Sequence, residues 1–148
     1  MLHRVFLAAL ALSLVGCLDS GSDVSSDVAF ETVDHSGISG IVIARSVAVR
    51  DNASWLALWA QHIGNHPPSP APTVDFNKSM VLAVFLGDRP NGCYSVTITR
   101  VFLSSSGLTV AYHEGTPPPN VSCTQAFIQP THIVSVPASD ALVQFVKE

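Results

Sequence analysis

The hydrophobic pattern of this chain is clearest in two neighbouring segments. Residues Met80–Leu86 are apolar without interruption, which is typical of a strand buried on both faces, whereas Tyr94–Leu103 alternates between apolar and polar positions. Between them, Arg89–Gly92 reads Arg-Pro-Asn-Gly, in which Pro90 can preset the backbone of a turn and Gly92 can adopt a positive φ. The pattern predicts a buried strand, a tight turn and a half-buried neighbouring strand.

Shorter alternating segments predict further strands, separated by Gly, Pro, Ser and Asp clusters. The segment after Ser104–Gly107 alternates again, so Tyr94–His113 is predicted to form a β-hairpin with Tyr94, Val96, Ile98 and Phe102 on one side. The other predicted strands are Val28–Val33, Ile41–Arg50, Thr131–Val136 and Leu142–Val146. For Leu142–Val146 a short helix is an alternative.

One segment has the periodicity of a helix instead. Asp51 or Asn52 can cap its start, Gly64 can end it, and the apolar stripe recurs at i, i+3, i+4 and i+7 or i+8. The stripe consists of Trp55, Leu58, Trp59 and either His62 or Ile63. We expect a short amphipathic helix packed on a sheet, with the two tryptophans in the core; the alternative is that they form a stacking platform for a sugar or another small ligand.

The amino-acid composition indicates the fold class and the kinds of partner to expect. The 148 residues are 47% hydrophobic and 12% charged, and the net charge of −4 comes from scattered acids without a basic run. We therefore expect one α+β, mainly β domain over residues 28–148, with antiparallel sheets in a sandwich- or barrel-like arrangement and one helix. A nucleic-acid partner is not expected, because no basic patch could contact the phosphates.

The N-terminal residues resemble an export signal. A basic start is followed by an apolar run of about a dozen residues, too short for a permanent membrane span. Leu14–Cys17 then resembles the lipobox of bacterial lipoproteins, which implies removal of residues 1–16 and lipidation of Cys17. Residues 17–27 are polar and predict a flexible tether. The alternative is an ordinary secretory signal with an incidental Cys17. With Leu18 after the cysteine, the resemblance implies the outer membrane if the source is Gram-negative.

The other two cysteines, Cys93 and Cys123, form an even pair in a chain expected to be exported. Oxidising surroundings favour a disulfide between them. The alternative is a reactive Cys93 thiol with a histidine partner. His62 and His66 have the i, i+4 spacing of a zinc helix, but no acid accompanies them and Gly64 interrupts the helix. We expect no metal, no cofactor and no catalytic residue, since no nucleophile or metal motif is present.

The motif Gly-x-Arg-Pro-x-Gly-x-Tyr-Ser-Val carries a resemblance to a known family. It is formed here by Gly87, Arg89, Pro90, Gly92, Tyr94, Ser95 and Val96. With Trp55, Trp59, Asp75-Phe76 and His132, the chain from Phe30 to Phe145 resembles the PrcB-like family of bacterial envelope lipoproteins. Many members have Gly in place of Cys93. The family takes its name from a subunit of a surface protease complex.

The resemblance implies a non-enzymatic, lipid-anchored protein of the bacterial cell envelope that binds or stabilises another envelope protein, for example a protease. Membrane contact is then expected through the N-terminal lipid. The family has no catalytic residues to transfer. The alternatives are a small-ligand or glycan-binding lipoprotein and a hydrolase with an unrecognised site. The expected recognition surface comprises Arg89, Pro90, Asn91, Gly92, Tyr94 and His132, although turn and core packing would also explain these residues.

Overall fold

The computed structural model describes residues 24–64 and 66–148. The predicted signal peptide, Cys17 and residues 18–23 of the predicted tether lie outside the described residues. The elements in chain order are β1 (Ser26–Asp27), β2 (Glu31–Ser36), β3 (Arg45–Val49), α1 (Asn52–Ile63), β4 (Ser79–Phe85), β5 (Ser95–Ser104), β6 (Gly107–Gly115), β7 (Thr131–Pro137) and β8 (Val143–Lys147).

The strands form two four-stranded sheets. The outer sheet has the order β1-β5-β6-β8 and the central sheet the order β2-β7-β4-β3. All strand pairs are antiparallel except β6 and β8, which run parallel with Leu108 opposite Val143. The sheets pack face to face, and α1 covers the other face of the central sheet. The predicted mainly β sandwich with one short helix is confirmed.

Strand β4 supplies both faces of the central sheet. Met80, Leu82 and Val84 point into the core between the two sheets, whereas Val81 and Phe85 point toward α1. All five side chains are buried, as the uninterrupted apolar run of β4 predicts. The central sheet is therefore covered on both faces.

The helix begins and ends where the sequence predicts. The side chain of Asp51 accepts a hydrogen bond from the backbone N–H of Ser54, at 2.8 Å, and Gly64 follows the last turn with a positive φ of 55°. Trp55 and Trp59 are buried against the central sheet. Their indole N–H groups donate to backbone carbonyls of the proline-rich loop after the helix. A stacking platform would need exposed rings, so the structure does not support that alternative.

Two predictions about the central turn are wrong. Strands β4 and β5 are not neighbours in one sheet but lie in different sheets, because the connection crosses from the central sheet to the outer one. The positive φ in this segment belongs to Gly87, at 69°, and not to Gly92. The apolar run of β4 and the alternation of β5 indicate how far each strand is buried, but they do not show which sheet each strand joins.

Strand limits and one face also differ from prediction. A bulge between Ile98 and Arg100 shifts the alternation of β5, so that Val101 is buried and Phe102 is only half-buried under the guanidinium of Arg100.

Strand β2 starts three residues later than predicted, and the C-terminal segment Val143–Lys147 is a strand, not a helix. The outer sheet already begins at Ser26, inside the predicted tether. Within the described ranges no helix is long and apolar enough to cross a membrane.

Candidate functional site

Three loops meet at one end of the sandwich, and we call this the three-loop end. They are residues 37–44, 86–94 and 116–130. Backbone hydrogen bonds of 2.8–3.0 Å join them pairwise: Gln129 to Gly37, Asp88 to Val42, Arg89 to Ile128 in both directions, and Gly92 to Thr124. The side chain of Gln129 also donates to Asp88, at 2.7 Å. The loops are thus held in one arrangement by their own backbones.

The predicted disulfide is present at this end. Cys93 and Cys123 are bonded with their Cα atoms 5.5 Å apart, and their positions differ by 30 in the sequence. The bond fixes the second loop to the third immediately before β5 begins. Since both sulfurs are in the disulfide, the alternative of a reactive Cys93 thiol has no support.

Gly87 is the first residue of the Gly-x-Arg-Pro-x-Gly-x-Tyr-Ser-Val motif, and its backbone explains why glycine stands there. Its φ of 69° is the left-handed region, and a Cβ at this position would lie 2.6 Å from the backbone nitrogen of Ala44 and from the carbonyl oxygen of Val42. Only glycine permits this close approach of the second loop to the first. The glycine therefore serves the packing of the three-loop end.

Arg89 holds the loop in which it lies. Its guanidinium donates to the Leu86 carbonyl at 2.7 Å and to the Glu114 carboxylate at 2.9 Å, and it lies over the ring of Tyr94. Lys147 donates to the same carboxylate at 2.6 Å. Burial raises the pKa of Glu114, but the hydrogen bonds from Lys147 and Arg89 outweigh burial, and the net pKa is lowered. The arginine is thus internally paired.

Exposed hydrophobic side chains project from these fixed loops. Pro90 and Gly92 are exposed, and Asn91 and Tyr94 are half-buried. The largest apolar contribution comes from residues outside the predicted recognition set, with Ile43 exposed by 77% and Phe127 by 72%. The large hydrophobic side chains exposed at the three-loop end are Ile38, Val42, Ile43, Val121 and Phe127. Such a concentration on ordered loops is typical of a contact surface.

His132 lies apart from this surface and joins the two sheets. It is 3% exposed, its Nδ1 accepts from the Ile98 backbone N–H at 2.8 Å, and its Nε2 lies 3.0 Å from the Thr32 hydroxyl. The ring stacks on His35, whose Nε2 is 2.7 Å from the Val96 carbonyl. Burial, assisted by the charge of His35, lowers the pKa of His132 to about 4. The ring is neutral at pH 7 and acts as a hydrogen-bond acceptor.

Sequence reasoning missed a line of three polar side chains. The Ser39 hydroxyl is 3.0 Å from Nδ1 of His62, and Nε2 of His62 is 3.3 Å from the Asp34 carboxylate. The His62 hydrogen bond lowers the pKa of Asp34, although burial partly opposes this. The order of groups matches a Ser-His-Asp triad, but Ser39 is only 3% exposed and its oxygen already accepts the Ile41 N–H at 3.1 Å. These contacts connect α1 to the first loop and to β2, so we interpret the line as a structural joint between them.

No sequence signal would have revealed this line. Ser39 lies in a turn and His62 on an apolar helix face, 23 residues apart, and only the fold brings them together. Among residues 24–64 and 66–148, no group of three or more His, Cys, Asp and Glu side chains could hold a metal ion.

Replacing Ser39 by alanine should lower the free energy of unfolding by about 1–2 kcal/mol, because the buried Ile41 N–H and the His62 ring each lose a partner. Ser106→Ala, at an exposed serine in the β5–β6 turn, is the matched control and should change stability by less than about 0.5 kcal/mol. Urea unfolding of the two variants measures both values. Equal stability of the two variants would show that the line of side chains is not a structural joint.

The fold and this end define a class of protein: a small β-sandwich domain with a helix on one sheet and a disulfide-fixed cluster of loops at one end. Residues 80–137 match the model of a family described as PrcB C-terminal, which confirms the resemblance over this segment. The match runs from β4 to β7 and includes the second and third loops with both cysteines. Comparison with curated proteins and with solved structures found no match.

Proposed function

We propose that this protein is a non-enzymatic, lipid-anchored subunit of the bacterial cell envelope that binds another envelope protein through its three-loop end. The family match supports association with a protease complex, and we propose a subunit of such a complex as the partner. The lipobox-like sequence ending at Cys17 supports anchoring in the envelope, with the outer membrane as the proposed location in a Gram-negative source.

One observation carries the binding proposal: large apolar side chains are exposed on loops that are already fixed. A disulfide and the backbone hydrogen bonds between the loops hold Ile43 and Phe127 in place. Binding through these side chains would therefore cost little ordering entropy, and the contact would gain from the apolar area buried. An exposed phenylalanine is the kind of anchor that contributes most to protein interfaces.

The surrounding charges indicate what the partner surface needs. Arg89 and Lys147 both donate to Glu114 within the domain, so these cations are already paired. A partner with an apolar patch and a polar rim fits this end better than a strongly charged partner. This chemistry is also consistent with the absence of a basic run in the sequence.

The test is crosslinking in native membranes followed by identification of the captured protein. Ile43→Ser combined with Phe127→Ser should lower recovery of the partner at least about tenfold, since interface anchors contribute about 2 kcal/mol or more. Leu56→Ser is the matched control, because Leu56 is 50% exposed on α1 and lies outside the three loops. The control should recover the partner as well as the unmodified chain does.

Equal recovery by the double variant and the control would contradict binding through the three-loop end. Recovery of a partner without any protease subunit would keep the binding surface but refute the proposed complex. All three substituted residues are exposed, so the variants should unfold at the same temperature as the unmodified chain, and this measurement shows that lost recovery is not lost folding.

A further inference from the structure

The end of the sandwich opposite the three loops has its own exposed hydrophobic side chains. Strand β5 starts two residues after Cys93 and runs for ten residues to Ser104, so the two ends are about 30 Å apart. We call the far end the hairpin end; it consists of residues 24–27, 103–107 and 138–142. Its exposed apolar residues are Val24, Leu103 and Leu142.

Backbone hydrogen bonds fix Leu103 and Leu142 beside the β5–β6 turn. Ser26 pairs with Leu103 in the outer sheet, and the Leu108 N–H donates to the Leu142 carbonyl at 2.8 Å. Leu142 is 70% exposed although its backbone is held in place. An exposed leucine on a fixed loop is available for contact with another surface.

We propose that the hairpin end rests on the membrane surface and that the three-loop end consequently points away from it. The inference depends on the proposed lipidation of Cys17. Nine residue steps separate Cys17 from Ser26, and an extended chain of that length reaches at most about 30 Å. The tether joins the domain at Ser26, beside Leu103 in the hairpin end. To bring the three-loop end to the lipid it would have to be fully extended along the whole sandwich, whereas the hairpin end is reached without extension.

The charged residues of the hairpin end are compatible with contact at the membrane surface but not with deep insertion into the bilayer. Asp27 pairs with Arg100, their atoms 2.6 Å apart, and Arg50 donates to the carbonyls of Ser139 and Ala141. Asp140 is exposed beside Leu142 and opposes deep insertion. The leucines therefore reach the headgroup level, where a lipid anchor and a few apolar side chains together strengthen attachment. This orientation presents the partner-binding loops about 30 Å from the bilayer.

Photocrosslinking from single positions tests the orientation. The full chain, purified with its lipid, carries p-benzoylphenylalanine in place of Leu142, Leu56 or Phe127 and is reconstituted into vesicles of phosphatidylethanolamine and phosphatidylglycerol. After irradiation, mass spectrometry measures the yield of lipid adducts on the protein. We expect the yield from position 142 to exceed the yields from positions 56 and 127 at least fivefold.

A yield at position 142 no higher than at position 56 overturns the orientation, as does crosslinking from position 142 to a second copy of the chain. The intact mass of the purified protein separates this failure from failure of the anchor. A mature chain without acyl groups on Cys17 would refute both the anchoring and the orientation. A lipidated chain without excess adducts at position 142 would refute the orientation alone.

Discussion

Replacing Cys93 and Cys123 by serine together should lower the free energy of unfolding by about 3–4 kcal/mol, as the chain-entropy model gives for a loop of this length. The bond closes a segment of 30 residues that contains the β5–β6 hairpin and much of the third loop. Without it the unfolded chain gains conformational freedom. Urea denaturation of the two proteins, followed by the tryptophan fluorescence of Trp55 and Trp59, measures the difference.

The unmodified protein provides its own control for this prediction. A reducing agent should destabilise the unmodified chain by about the same amount and leave the double serine variant unchanged. If reduction leaves the unfolding midpoint of the unmodified chain where it was, the disulfide does not stabilise the domain. Because the bond also joins two of the three loops, the reduced protein should bind the proposed partner more weakly than the oxidised one does.

His132 should make the domain lose stability as the pH falls from about 6.5 to about 4. The folded protein holds the ring neutral, with a pKa of about 4, while an unfolded histidine titrates near its ordinary value of 6.5. Between these values the unfolded chain binds the additional proton, so stability rises with pH and is complete above 6.5. The difference in pKa corresponds to about 3 kcal/mol over this interval.

His132→Asn should flatten this dependence, since an amide oxygen can still accept the Ile98 N–H but does not titrate. His113→Gln, at an exposed histidine of β6, should leave it as it is in the unmodified chain. Asp34 and Glu114 have lowered pKa values, so their stabilising contributions are lost as the pH falls below their ordinary values of 3.8 and 4.5. The loss from Asp34 therefore begins below this interval, and the loss from Glu114 begins at its lower edge. An unfolding free energy in the unmodified chain that stays constant between pH 6.5 and 4 would contradict the prediction.

Local patterns predicted the elements of this fold better than their arrangement. The caps at Asp51 and Gly64, the buried β4 and the β5–β6 hairpin all depend on residues close in sequence. The placement of β4 and β5 in different sheets depends on pairing between distant strands, which alternation does not encode. The bulge after Ile98 moved a buried position from Phe102 to Val101, since one extra residue reverses the faces of a strand.

The candidate site was predicted only in part. The motif around Arg89 and the pair Cys93–Cys123 indicated the second and third loops, and the structure places both at one end. The contribution of the first loop, including Ile43, was not predicted because its contact with Gly87 is made between residues more than 40 positions apart. The family resemblance places His132 in the expected recognition surface, but the ring is buried and accepts the Ile98 N–H between the two sheets.

The two sheets differ in how strongly packing constrains amino-acid substitution. Every residue of β4 after Ser79 is enclosed by neighbours above and below, so substitution there is constrained in volume and polarity on both sides. The outer sheet turns one face to water, and an exposed position such as Gln144 is free to vary in charge and size, while the half-buried Thr97 and Thr109 are less constrained than the residues of β4. Related domains should consequently share a nearly invariant middle layer while the water-facing side of the outer sheet diverges.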